Sequence, residues 1–418
     1  MPDGHDISAC EPRLVTFGCR MNAYESEVMR GHARAAGLNE AIIVNTCAVT
    51  AEAERQARQA IRKLRRENPT ARIIVTGCAA QLDPEGYRAL PGVDRVLGNA
   101  EKLKAESYLG AGDAVADIMT ASGTDSHILE GFEGRARAFV QVQQGCDHRC
   151  TFCIVPFARG PSRSVPLGAV VEQAKALAGR GYKEIILTGV DILSWGADLP
   201  GRPSMAQALR RLLKLVPEVE RLRLTSLDPA VLDAALIDVI ATEERIMPHI
   251  HLSVQAGDDM ILKRMKRRHS RAEVLTLCER LKLARPGLAI GADLIAGFPT
   301  EDAEMFANTL ALVEEADLTH LHVFPYSPRP GTPAAKMPPV AASEVKARAA
   351  ALREAGESTL KRFQQSKLGH TARILVEKPG FGHSEHYLGV EIAGGEEGQV
   401  VPVTLTGFTD GRLRGETA

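Results

Sequence analysis

The stretch QQGCDHRCTFC, residues 143–153, places three cysteines, Cys146, Cys150 and Cys153, in one short loop with no fourth nearby. Thiolate metal sites usually close with four ligands, so the spacing leaves one position open. Zinc is the plain alternative, with His148 inside the loop as a possible fourth ligand, although zinc ribbons and knuckles usually pair cysteines from two separate turns. In a 4Fe-4S cube each iron normally takes one thiolate; three cysteines leave one iron bare, where a small molecule can chelate.

The surroundings of the loop decide the fold. AFVQVQ (138–143) leads into it, and EIILTGV (184–190), RLRLTSL (221–227), HIHLSVQ (249–255), AIGADLIAGF (289–298) and HLHVFPYS (320–327) follow, alternating with helical stretches. Six βα units predict a partial, open (β/α)6 relative of the eight-fold barrel, with its site at the C-terminal strand ends. The cysteine loop follows the first of these strands and therefore lies at that mouth.

Upstream, RLVTF (13–17), AIIVN (41–45) and RIIVT (72–76) each precede an amphipathic helical segment, which predicts a parallel-sheet α/β domain. Cys19, Cys47 and Cys78 fall just past these strands, 28 and 31 residues apart. Strand C-termini of a parallel sheet share one edge, so the spacing predicts a second trio of converging thiols. LGAGDAVADIMTASGTDSH (109–127) reads as a linker. Beyond the barrel, a Pro-rich connector and a helix from about 341 to 367 lead to short strands separated by Gly-containing turns, as in a small β-barrel. The expected divisions are 11–120, 132–362 and 363–418.

Composition narrows the function. Net charge is −1 and aromatic residues make up 4% of the 418-residue chain, so any nucleic-acid partner is held by a local patch. The C-terminal strands balance seven Lys/Arg against seven Asp/Glu beyond residue 360. The N-terminus reads as neither signal peptide nor anchor, and no apolar run reaches membrane-spanning length, which predicts a cytoplasmic protein with no membrane partner. In that compartment eight cysteines suggest metal or catalytic chemistry rather than disulfides. Cys10 and Cys278 share no spacing with either trio and read as spare thiols, and the histidines, His5 among them, suggest no metal pairing.

CDHRCTFC, with Phe152 before the last cysteine, resembles the CxxxCxΦC signature of the radical S-adenosylmethionine (SAM) superfamily. The resemblance implies a 4Fe-4S cluster whose open iron binds the amino and carboxylate groups of SAM and whose electron cleaves the sulfonium to a 5′-deoxyadenosyl radical. TFGCRMNAYESE, NTCAVT and GCAAQ resemble the N-terminal domain of the methylthiotransferases, whose three cysteines hold a second 4Fe-4S cluster. The likeness runs from about residue 13 to the end, where the tail is similar to the family's TRAM domain. GCRMN, NTCAVT, GNAEK (98–102), GPSRSVP and HLSVQAGDDMILKRMKRRH are most similar to the branch acting on threonylcarbamoyladenosine in tRNA; the other branches act on isopentenyladenosine in tRNA or an aspartate of a ribosomal protein. That implies methylthiolation of C2 beside the anticodon, with SAM as methyl donor and radical source and an external electron donor. A non-catalytic iron-sulfur scaffold or electron carrier is the alternative of another class.

The resemblance also implies site residues. Gly189 and Asp191 in LTGVD, where the usual paired glycines are reduced, match the stretch lining the SAM methionine, and Ser226, Asp228, Gln255 and Asp293 are similarly placed along the SAM site. Each is equally a strand-end turn residue satisfying backbone groups. Lys266, Arg267 and Arg268 lie in the densest basic run, LKRMKRRHS (262–270), readable as a solvated face or as contacts to the phosphates of the tRNA anticodon arm. Arg159 and Arg163, close behind the cysteine loop, are expected nearer the reacting base.

Overall fold

The computed structural model describes residues 11–110, 112–124, 127–409 and 411–417. The N-terminal segment containing His5 and Cys10 lies outside the described residues. The chain divides into two compact units, one of residues 1–129, 144–149 and 153–163, the other of 130–143, 150–152 and 164–418.

In the first unit, β1 (Arg13–Thr16), β2 (Ile42–Thr46), β3 (Ile73–Gly77) and β4 (Arg95–Val96) form a parallel sheet in sequential order. The central strands IIVNT and IIVTG are buried at every position, the run expected of strands covered on both faces. Helix α1 (Arg20–Ala35) crosses from β1 to β2 and α2 (Ala51–Glu67) from β2 to β3. Thr50 caps α2 by accepting from Ala53 N at 3.2 Å, which fixes where the turn after Cys47 ends. Two further segments belong to this unit: α3 (Cys78–Leu82), and α4 (Val155–Arg159), whose Ala158, with Ile154 just before the helix, joins the core of Ile42, Val44, Ile61 and Ile73.

In the second unit, β5 (Arg137–Gln141), β6 (Glu184–Thr188) and β7 (Arg221–Arg223) make one parallel sheet, and β8 (His249–Gln255), β9 (Ala289–Ala296) and β10 (His320–Pro325) another. Parallel bridges Leu222–Ile246 and Leu227–Leu252 connect them, giving the six-strand partial barrel. The third strand is shorter than its apolar run suggests. Ser226 turns to φ 59°, and Gln255 at the end of β8 to φ 75°, left-handed conformations that end the ladder where side chains must face the mouth.

After helix α5 (Ala342–Gln365), strands β11 (Thr371–Lys378), β12 (Phe381–His383), β13 (Gly389–Ile392), β14 (Val400–Thr409) and β15 (Arg412–Thr417) close a barrel in the order β11-β12-β13-β15-β14. Its core is Ile374, Val376, Val390, Val403, Leu405 and Leu413. This barrel falls in the same compact unit as the six strands. Charged groups join the two. Buried Glu184 takes Arg137, Arg221 and Arg223 at 2.7–3.0 Å, and Arg137 reaches on to Glu377 of β11 at 2.5 Å. Among the described residues, no helix is long and apolar enough to cross a membrane.

Candidate active site

The N-terminal trio is built by the sheet. Cys19 precedes α1, Cys47 follows β2, and Cys78 opens α3 directly after β3. Gly18, at φ 94°, brings the first loop against the second: a Cβ there would stand 2.7 Å from Cys47 Sγ. Gly77, at φ 98°, lets β3 pass so close to β2 that a Cβ would lie 2.3 Å from Thr46 O. Asn22 ties the loops by donating from Nδ2 to Phe17 O at 2.6 Å and Thr46 O at 3.0 Å. Cys47 and Cys78 are buried and Cys19 is exposed. Burial pushes the Cys47 thiol up to about 11; a backbone hydrogen bond from Val49 opposes this, and Cys78 and Cys19 raise it further. Sulfur donors of this kind suit zinc or iron-sulfur centres, and a metal takes up the charge that burial otherwise opposes on Cys47.

Beneath the trio is an ionic core that the sequence reading did not find. Glu25 Oε2 meets Lys102 Nζ at 2.6 Å and its Oε1 meets Arg159 Nη1 at 2.7 Å, all three side chains inaccessible or nearly so. Burial alone would raise the Glu25 carboxyl, but Arg159 and Lys102 overcome it and hold it at about 2. Arg159 Nη2 also donates to Asn22 Oδ1 at 2.6 Å. Two cations against one carboxylate leave an excess positive charge, and Arg159 is electrostatically coupled to Cys78 and Cys19. Asn99, in the GNAEK stretch, donates to Cys78 Sγ at 3.8 Å and to Ala158 O at 2.7 Å.

Arg159 is therefore not a solvent-facing contact for a nucleic-acid base. It is 2% exposed, because an unpaired Glu25 could not be buried beside it. Arg163 is buried too, donating to Pro161 O at 2.8 Å and Arg159 O at 3.2 Å. A pattern that could have exposed this core is Asn22 and Glu25, three apart on the face of α1 that also buries Met21, Val28 and Met29.

In the CxxxCxxC loop all three cysteines are half-buried. Within the first unit, Cys146 N donates to Gly160 O at 3.0 Å, and Gly145, at φ 70°, lies so near Pro161 O that no side chain fits. Within the second unit, Thr151 Oγ1 donates to Arg264 O at 2.7 Å, and Phe152 meets Phe298 edge-on at 6.5 Å. Arg267 of the same unit donates to Cys150 Sγ at 3.6 Å and Ser253 O at 2.7 Å. It points inward at the Cys150 sulfur instead of outward at a phosphate, because its other partner is buried Asp228 at 3.3 Å. Arg268 also meets Asp228, at 3.0 Å, while Lys266 is exposed with φ 57°.

The residues matched to the SAM site fall into two groups. At the mouth, Val190 N and Asp191 N donate to Gln143 Oε1 at 3.0 and 2.8 Å, Ser194 Oγ donates to Asp191 Oδ2 at 2.5 Å, and a Cβ at Gly189 would be 3.0 Å from Gln143 O. Ser226 and Gln255 occupy the left-handed strand ends described above. The others already have strong partners. Burial would raise the Asp228 carboxyl, but His269, Arg267, the Ala230 amide and Arg268 hold it well below the usual range. Asp293 Oδ1 is shared by His251 Nε2 at 3.0 Å and His322 Nδ1 at 3.2 Å. The two rings lie 4.3 Å apart. Cys278 is buried on a helix, Arg271–Ala284, its thiol pushed up to about 12 by burial.

Residues 140–313 match the radical SAM superfamily, and residues 12–98 match an uncharacterized protein family, UPF0004. The partial barrel carrying its three-cysteine loop is thus that of a radical SAM protein. The chain is 50% identical over 404 residues, 96% of both chains, to the threonylcarbamoyladenosine tRNA methylthiotransferase MtaB of Rickettsia prowazekii, and 34% identical to its Thermotoga maritima counterpart over 95% of both. A tRNA-2-methylthio-N(6)-dimethylallyladenosine synthase of Novosphingobium aromaticivorans is 35% identical over 90% of this chain and 88% of that one. Among solved structures, the radical SAM methyltransferase TsrM of Kitasatospora setae overlaps with a TM-score of 0.53 at 16% identity, covering 76% of this chain and 67% of that one, a likeness of fold. The chain belongs to the radical SAM tRNA methylthiotransferases, in the family of MtaB.

Proposed function

We propose that this enzyme methylthiolates C2 of N6-threonylcarbamoyladenosine next to the anticodon of tRNA in the cytoplasm, drawing electrons from an external donor. The observation that carries this reading is the 50% identity extending over 96% of both chains to a relative named for that nucleoside. Cys146, Cys150 and Cys153 would hold one 4Fe-4S cluster with SAM, and Cys19, Cys47 and Cys78 a second. When bound, these groups supply one-electron cleavage of SAM and the methylthio group. A radical is needed because an aromatic C–H has no acidic proton for a side-chain base to remove.

The chain's own residues position and protect. Arg267 holds Cys150 and the Ser253 carbonyl together, and Asp228 fixes Arg267. Gly189, Asp191, Ser226 and Gln255 line the strand ends where SAM would lie, Asp191 with one carboxylate oxygen held by Ser194. In the N-terminal sheet, Asn99 orients Cys78, and the excess charge of Arg159 and Lys102 offsets the thiolates. Lys266 and Arg268, both exposed, remain for the phosphates of the anticodon arm.

Nucleoside mass spectrometry of tRNA tests the assignment. Cells lacking the gene should accumulate threonylcarbamoyladenosine without its methylthio form, and the gene should restore it. Loss of the methylthio group from isopentenyladenosine instead would move the enzyme to the neighbouring branch.

A further inference from the structure

Three adjacent strands each direct one donor to a common point. His251 is the third residue of β8, Asp293 the fifth of β9 and His322 the third of β10, with Asp293 and His322 direct partners in the parallel register. Their nearest ligand atoms all lie within 4.8 Å of one another. His251 could not reach this position past an ordinary residue: a Cβ at Gly291, its register partner, would stand 2.4 Å from the ring Nδ1. The glycine leaves room for the ring.

We propose that His251, Asp293 and His322 form a binding site for a first-row divalent metal ion, separate from the cysteine sites. Two imidazoles and one carboxylate are a donor set that zinc and ferrous iron take, with positions left open for oxygen ligands. Donors about 2.0–2.1 Å from a tetrahedral ion stand about 3.3–3.4 Å apart, so the observed 3.0 and 3.2 Å need to widen by only a few tenths of an ångström. The ion replaces the protons that the two rings otherwise share with one carboxylate oxygen. The side chain of His322 is 57% exposed and that of Asp293 21%, which leaves an entry path and an open side. Water, or an oxygen of a substrate group, completes the shell there.

The test uses cluster-reconstituted protein titrated anaerobically with Zn2+, freed of loose metal by gel filtration, and analysed for zinc and iron by plasma mass spectrometry. Wild-type protein should retain one zinc per chain more than Asp293→Asn and His322→Ala, with iron unchanged in all three. X-ray absorption at the zinc edge should show nitrogen and oxygen neighbours at about 2.0 Å. His322→Ala removes the most exposed member, so it decides the matter alone if Asp293→Asn does not fold. Equal zinc in wild type and His322→Ala, or sulfur neighbours at about 2.3 Å in place of nitrogen, overturns the proposal.

Discussion

Arg159 and Glu25 are 134 residues apart in sequence, yet their buried side chains meet at 2.7 Å. The arginine comes from the short helix behind the CxxxCxxC loop and the carboxylate from the helix behind Cys19. One ion pair thus fixes the segment after one cysteine trio against the elements that carry the other.

Removing the carboxylate should be severe. Glu25→Gln leaves Arg159 and Lys102 buried with no counter-charge, and breaking a buried pair from one side costs about 3–5 kcal/mol. Urea unfolding followed by circular dichroism should show a lowered midpoint of that order. Arg159→Lys, which keeps charge but loses the fork that spans Glu25 and Asn22, should cost less.

How much of this was legible follows from the kind of signal involved. The six βα units, and the place of Cys19, Cys47 and Cys78 just past three strands, were readable because strand runs recur with a period set by backbone geometry. Ligand pairs across strands have no such period. His251, Asp293 and His322 sit about 30–40 positions apart, and only their shared face and the register of β8, β9 and β10 bring them together. Arg159 and Arg267 misled for a related reason: an arginine near a site reads as a surface contact until its buried carboxylate partner, Glu25 or Asp228, is located.

Acid should loosen the second unit through two buried histidines. Burial lowers His320 to about 4, with a hydrogen bond from its ring to the Tyr387 backbone opposing this, and lowers His386 to about 3, with Lys367 3.3 Å away adding repulsion. Unfolded, both titrate near 6.5. Because the folded values are lower, the unfolded chain binds more protons across that window; stability is complete above pH 6.5 and falls as pH drops toward 4. At pH 5 each histidine should cost on the order of 2 kcal/mol. Urea midpoints at pH 7 and pH 5 check this, and His386→Asn should narrow the difference between them.

The two cysteine trios should separate by function. Cys150→Ala should abolish production of 5′-deoxyadenosine from SAM, whereas Cys47→Ala should retain that cleavage and lose methylthio insertion. Chromatography of the nucleoside products distinguishes them. Methylthio product from the Cys47 variant would remove the N-terminal trio from the sulfur chemistry.

Arg267 links the chemistry of the loop to its support. Its guanidinium contacts Cys150 Sγ, the Ser253 carbonyl and Asp228. Arg267→Leu keeps bulk but withdraws the donor and the charge, leaving Asp228 to Arg268 and the neighbouring His269. Loss of such an outer partner typically lowers metal affinity about 10–100-fold. Iron per reconstituted chain should therefore fall at the loop, with SAM cleavage reduced in proportion. Iron retained by an Arg267→Leu/Cys47→Ala double variant reports the loop site by itself. Retention at the level of Cys47→Ala alone would show that Cys150 does not depend on the arginine.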